Sequence, residues 1–167
     1  MTKGLVLISA LSLFVFSCAK TNVAVPKKTQ LQIRQFQTRI YDTKNTKMVM
    51  KALLNVLQDD GFIVKNAVVD LGLMTAEKEV DVESSGAKYF AIFFMGANAS
   101  WEKSMILEAT ANVSEFGEQT KVRMSFQAKV LDNTGRVISV EQVQDEKYYQ
   151  DFFSKVDKGI FIEKEKI

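Results

Sequence analysis

Residues 105–130, MILEATANVSEFGEQTKVRMSFQAKV, decide the fold. Met105, Leu107, Ala109, Ala111 and Val113 alternate with Ile106, Glu108, Thr110 and Asn112. Past the Glu115-Phe116-Gly117-Glu118 turn, Val122, Met124, Phe126, Ala128 and Val130 alternate with Arg123, Ser125, Gln127 and Lys129. A strict period of two on both sides of a glycine-containing turn predicts an antiparallel hairpin with one apolar and one polar face. An apolar sheet face must be covered, so the rest of the chain is read for what covers it.

Downstream, Asp132-Asn133-Thr134-Gly135 is a second turn, leading into a strand from about Arg136 to Gln142. Tyr148, Tyr149, Phe152, Phe153, Val156 and Ile160 then recur at helical spacing, which predicts an amphipathic helix over roughly 145–159 whose aromatics belong to the core. Upstream, Met48, Val49, Ala52, Leu53, Val56 and Leu57 form one continuous helical stripe, capped by Asp42 or Thr43 and stopped by Gly61. Residues 62–71 and 73–83 read as two strands around Gly72, either a hairpin or one kinked strand. Leu31 to Ile40 is β-rich and partly alternating, which suggests a first strand whose phase change between Ile33 and Phe36 marks either a bulge or a late strand start. The expected fold is α+β, an antiparallel sheet of five or six strands packed against two amphipathic helices, over residues 30–167.

The first eighteen residues carry a different signal. Lys3, an apolar run from Leu5 to Phe16, the small Ser17 and the only cysteine, Cys18, follow in the order of a secretory signal peptide, and the run is too short to span a bilayer stably. Val15-Phe16-Ser17-Cys18 resembles the lipobox of bacterial lipoproteins, in which a lipid is attached to the cysteine thiol and the signal is cut off in front of it. This resemblance implies a signal peptide at 1–17, lipidation at Cys18, and a polar tether over 18–29 holding Pro26.

Cutting 17 residues from 167 leaves 150, the size of one ordinary domain. Lys3 is the only charged side chain removed, so the remainder carries 21 of the 22 Lys and Arg against 20 Asp and Glu. Such a balance argues against a nucleic-acid partner, which needs a basic surface. The sequence contains no histidine, which excludes serine-histidine and cysteine-histidine hydrolases and histidine-ligated metals. An acylated Cys18 leaves no thiol for a disulfide, a metal or a nucleophile. Neither a D-x-D-x-D-G calcium loop nor a phosphate-cradling glycine loop occurs, and no cofactor is expected. Asp42, Asp59, Asp60, Asp70 and Glu77 are the carboxylates a glycoside-cleaving pair would draw on, but nothing gives any of them a facing partner.

One segment fits no ordinary loop. Tyr89-Phe90-Ala91-Ile92-Phe93-Phe94-Met95-Gly96-Ala97 is the most apolar run outside the signal, with Trp101 close behind. Three readings stay open: a buried helix or edge strand completing the core, an exposed patch for a protein partner, or a loop dipping into the bilayer interface. On the second and third readings Tyr89, Phe90, Ile92, Phe93, Phe94, Met95 and Trp101 form an interaction surface.

The stretches Gln37-Thr38-Arg39-Ile40-Tyr41-Asp42-Thr43, Leu57-Gln58-Asp59-Asp60-Gly61-Phe62 and Leu71-Gly72-Leu73-Met74-Thr75-Ala76 are similar to a group of uncharacterised lipoproteins of Gram-negative bacteria. The order of elements more loosely resembles the helix-grip domains of BamC, a lipoprotein of the outer-membrane assembly machine, and fold analogy does not transfer function. Together these imply a lipid-anchored, non-enzymatic domain on the periplasmic face of the outer membrane, with Ala19 in place of the aspartate that retains many lipoproteins in the inner membrane. The expected partners are the membrane, through the anchor, and a protein of the cell envelope. A membrane-surface or small-ligand binding domain is the alternative, with a carboxylate-dependent hydrolase behind it.

Overall fold

The computed structural model describes residues 28–80, 104–132 and 134–165. Helix α1 (Gln30–Phe36) leads into β1 (Thr38–Tyr41), α2 (Thr46–Asp59), β2 (Ile63–Val68) and β3 (Leu73–Val80), and the chain continues with β4 (Met105–Phe116), β5 (Gln119–Leu131), β6 (Val137–Gln142) and α3 (Glu146–Glu165). The six strands form one antiparallel sheet in the order β1-β5-β4-β3-β2, with β6 also paired to β5. The fold is α+β, with an open sheet.

The deciding hairpin forms as its alternation requires. Met105 pairs with Val130 and every inward residue of β4 faces an inward residue of β5 through to Val113 and Val122. Those side chains are buried against α2 and α3, and their outward neighbours Thr110, Asn112, Arg123 and Gln127 are exposed. The α2 stripe buries Val49, Met50, Ala52, Leu53, Val56 and Leu57. Helix α3 buries Tyr149, Phe152, Phe153, Val156 and Ile160, with Phe126 at the centre of an aromatic cluster touching Phe62, Tyr148, Tyr149 and Phe152. The two helices approach closely where Gly159 of α3 meets Ala52 and Val56 of α2.

Three local expectations are corrected. The segment from Leu31 to Ile40 is not one strand: Thr29 and Gln32 form a reciprocal capping box that starts helix α1, and the strand begins only at Thr38. The phase change at Ile33 to Phe36 is this helix, which makes three helices among the described residues rather than two. The N-cap of α2 is Asn45 rather than Asp42 or Thr43: its side chain accepts from the Met48 N–H at 3.0 Å, while the Thr43 hydroxyl, two residues earlier, accepts from the Asn45 N–H. Helix α3 runs past residue 159 to Glu165, opened by Asp145 accepting from the Lys147 and Tyr148 N–H groups.

The link between β2 and β3 resolves as a hairpin. A single 3-10 turn, Val69–Leu71, ends at Gly72 with φ +62°, and Val113 N–H donates to the Gly72 carbonyl at 2.7 Å. Among the described residues, no helix is long and apolar enough to cross a membrane.

Candidate functional site

Cys18 and the apolar residues Tyr89, Phe90, Ile92, Phe93, Phe94, Met95 and Trp101 lie outside the described residues, as does most of the 18–29 tether. The carboxylates do fall inside them, and the fold does not assemble them. Asp60 closes α2 and pairs with Lys155 at 2.5 Å, Glu77 pairs with Lys65 at 3.5 Å, Asp42 follows β1, and Asp70 sits in the β2–β3 turn. Among the described residues no group of three or more His, Cys, Asp or Glu side chains could hold a metal ion.

The irregular feature of the fold is the edge of β5. This strand has 13 residues, and along the edge away from β4 it is met first by β1, at Thr120 to Arg123, and then by β6, at Gln127 to Leu131. The two short partners leave a gap opposite Met124 to Phe126. A buried backbone donor without a partner is costly, and the gap is closed by two flanking backbone groups and one side chain. Gln37, just before β1, accepts from the Met124 N–H through its carbonyl, and Val143, just after β6, donates to the Phe126 carbonyl, both at 2.9 Å. The remaining Phe126 N–H donates to the Tyr149 hydroxyl at 3.1 Å. That hydroxyl also accepts from Gln37 Nε2 at 3.0 Å and donates to the Val143 carbonyl at 3.3 Å. Tyr149 is fully buried in the first turns of α3, and burial pushes its phenol pKa up, so it stays a neutral donor and acceptor.

β6 continues this edge to the outside of the molecule. Because Val143 turns its N–H toward β5, Val140 and Gln142 turn theirs away, toward the side on which no described strand pairs with β6. Val137, Ile138 and Val140 are 51%, 48% and 53% exposed. Edge strands are ordinarily guarded by lysine, proline, bulges or a covering element. β6 contains neither lysine nor proline, and its one guard is the irregularity where Ile138 is extra against Val130 and Leu131. The strand at the opposite end of the sheet, β2, carries Lys65 in its bulge. The β6 edge can take an added strand, its backbone groups supplying hydrogen bonds and Val140 and Ile138 supplying apolar contact.

Sequence reading placed β6 as a strand without marking it as a surface. The available signal was Val137-Ile138-Ser139-Val140, a β-branched run lacking the alternation seen in β4 and β5.

No protein-family model matches this chain, and no curated protein matches it. Among solved structures it is similar to a DUF4468 family protein from Bacteroides ovatus, with 9% identity over 74% of this chain and 84% of that one. The TM-score is 0.39, a likeness too slight to carry an argument about fold or function.

Proposed function

We propose that this chain is a lipoprotein held at the membrane through Cys18, on the periplasmic face of the outer membrane, and that it acts as a non-enzymatic binding subunit whose protein partner adds a strand to β6. The order Lys3, apolar run, Ser17, Cys18 supports the anchor, together with the resemblance to Gram-negative lipoproteins. The first described helix begins at the Thr29 capping box, eleven residues past Cys18, which supports the reading of 18–29 as a tether between lipid and domain. The single observation that carries partner binding is the edge of β6, where Val137, Ile138 and Val140 are about half exposed and no described strand pairs with the outward backbone groups. The apolar run at 89–97 is a second candidate contact under the same reading.

Site-specific photocrosslinking of the full chain in the producing cell tests this. A crosslinker at Val140 should trap one envelope protein, and one at Asn55, on the exposed face of α2, should not. Ile138→Lys with Val140→Lys should abolish the adduct while the melting temperature stays within a few degrees, because neither side chain is in the core. The strand-addition reading fails if Val140 traps nothing beyond what Asn55 traps, or if the double variant crosslinks as before.

A further inference from the structure

The face of the sheet turned away from the helices carries an uneven distribution of charge. At one end the cations are matched. Lys129 of β5 pairs with Glu108 of β4, and Lys65 of β2 pairs with Glu77 of β3. At the other end they are not. Arg34, in the last turn of α1, joins Lys121 and Arg123 of β5 around a hollow of about 460 Å³ that is lined also by Thr38, Thr110, Asn112, Ser114 and Ser125. The lining holds three cations, four hydroxyls and one amide, and no carboxylate. Among the described residues no acidic group pairs with Arg34, Lys121 or Arg123.

Strand register sets the arrangement. Arg123 stands between Thr38 of β1 and Asn112 of β4, Lys121 opposite Ser114, and Ser125 opposite Thr110. Lys121 and Arg123 point to the same face, about 7 Å apart along the strand. Arg34 is held beside them because the Thr38 hydroxyl donates to its carbonyl at 2.8 Å. Lys121 also lies over the Phe116 ring at 5.3 Å. Like charges gathered without a counter-charge are stabilised by an anion that brings several acceptor oxygens. Two guanidiniums, one ammonium and the hydroxyls of Thr110, Ser114 and Ser125 match a phosphate group better than a carboxylate, because a guanidinium takes two oxygens of either anion and only phosphate brings a third for the remaining donors.

We propose that this hollow binds the phosphate group of a small phosphate ester. The size is that of a small-molecule site, and the charge selects against acidic peptides only through geometry, so the test compares anions. The source is either a soluble phosphate ester or a phosphomonoester lipid headgroup presented by the bilayer, and two arms separate them.

The lipid-bearing mature chain in neutral detergent is titrated by calorimetry with glucose 6-phosphate, with glucose as the uncharged control and citrate as the carboxylate control. The same chain, reconstituted, is tested against phosphatidylcholine vesicles with and without phosphatidic acid. Saturable binding in the first arm identifies a soluble ester as a sufficient ligand, and binding only to phosphatidic acid vesicles identifies a lipid headgroup. In either case Arg34→Gln with Arg123→Gln should weaken binding at least tenfold without lowering the melting temperature by more than a few degrees, since both side chains are exposed. Lys51→Gln, which removes a cation paired with Glu163 on the helical side, should leave binding unchanged. Absence of binding in both arms, citrate binding as tightly as the phosphate ester, or an unaffected Arg34 and Arg123 variant would each overturn the assignment.

Discussion

At the scale of single residues, the hydroxyl of Tyr149 holds together a strand edge that its two backbone partners leave incomplete. Tyr149→Phe keeps the ring against Phe36 and Phe126 and removes only the oxygen serving Phe126 N–H, Gln37 Nε2 and the Val143 carbonyl. Buried groups deprived of partners should cost about 1–3 kcal/mol, read by chemical denaturation, and the Phe126 amide should exchange faster than its neighbours on β5. Unchanged stability and exchange would mean that the gap is closed some other way. Gly72 is constrained more severely. A Cβ there would stand 1.8 Å from the Val113 carbonyl oxygen, whereas one at Gly117, which has a nearly equal φ of +63°, would meet nothing within 4 Å. Gly72→Ala should therefore cost about 3 kcal/mol or more, combining left-handed strain with a backbone clash, and Gly117→Ala only about 1–2 kcal/mol. Equal melting temperatures for the two variants would contradict the close approach of that turn to β4.

A titration belongs to the same scale. The Thr134 hydroxyl donates to the Asp132 carboxylate at 2.6 Å, and the backbone N–H groups of Arg136 and Thr134 donate at 2.9 Å. These bonds hold its pKa at about 2, below the ordinary 3.8. A depressed carboxylate contributes its stability above the unfolded value and loses it as pH falls toward the folded one. The β5–β6 turn should keep its hydrogen bonds at pH 4 and release them as pH approaches 2. A carboxyl resonance of Asp132 titrating near 4 in an NMR series would show that these bonds do not persist in solution.

At the scale of elements, what was legible in the sequence followed the length of the repeating pattern. β4, β5 and α2 carry five or more apolar positions at one period, so tertiary packing and local pattern agree, and their reading stands in the structure. Helix α1 has seven residues with Ile33 as its one buried side chain, too short to express a 3.6-residue period, and its β-like composition suggested a strand instead. The legible signal was Thr29 three positions ahead of Gln32, a capping box rather than a periodicity. Helix α3 was read short because its last turns, around Phe161 and Ile162, are exposed and lie beyond the buried stripe. The core assignment of α2 is tested by Leu53→Ala. With Leu53 fully buried, the cavity should cost about 2–5 kcal/mol. A loss below 1 kcal/mol would place that stripe outside the core.

At the scale of the whole molecule, a sheet covered by helices on one face leaves exposed, among the described residues, the β6 edge and the polar outer face with Arg34, Lys121 and Arg123, the two surfaces proposed for recognition. Neither was legible in the sequence as a site. Outward arginines and lysines on alternating strands look like solvated surface until register shows which cations share a hollow and which have carboxylate partners. An edge is a property of strand order, which no local pattern states. The residues the sequence did nominate, Cys18 and the apolar segment around Phe93 and Phe94, lie outside the described residues, so the anchor rests on residue order and on resemblance to lipoproteins.

The proposed role depends on that anchor, because a lipid fixes the compartment and the partners available. Intact-mass analysis of the chain purified from the membranes of a Gram-negative host tests it directly. The account predicts a species beginning at Cys18, without residues 1–17 and heavier than the polypeptide by the mass of an attached lipid, and predicts that Cys18→Ser yields no lipidated species. A mature chain whose Cys18 carries no lipid would contradict it.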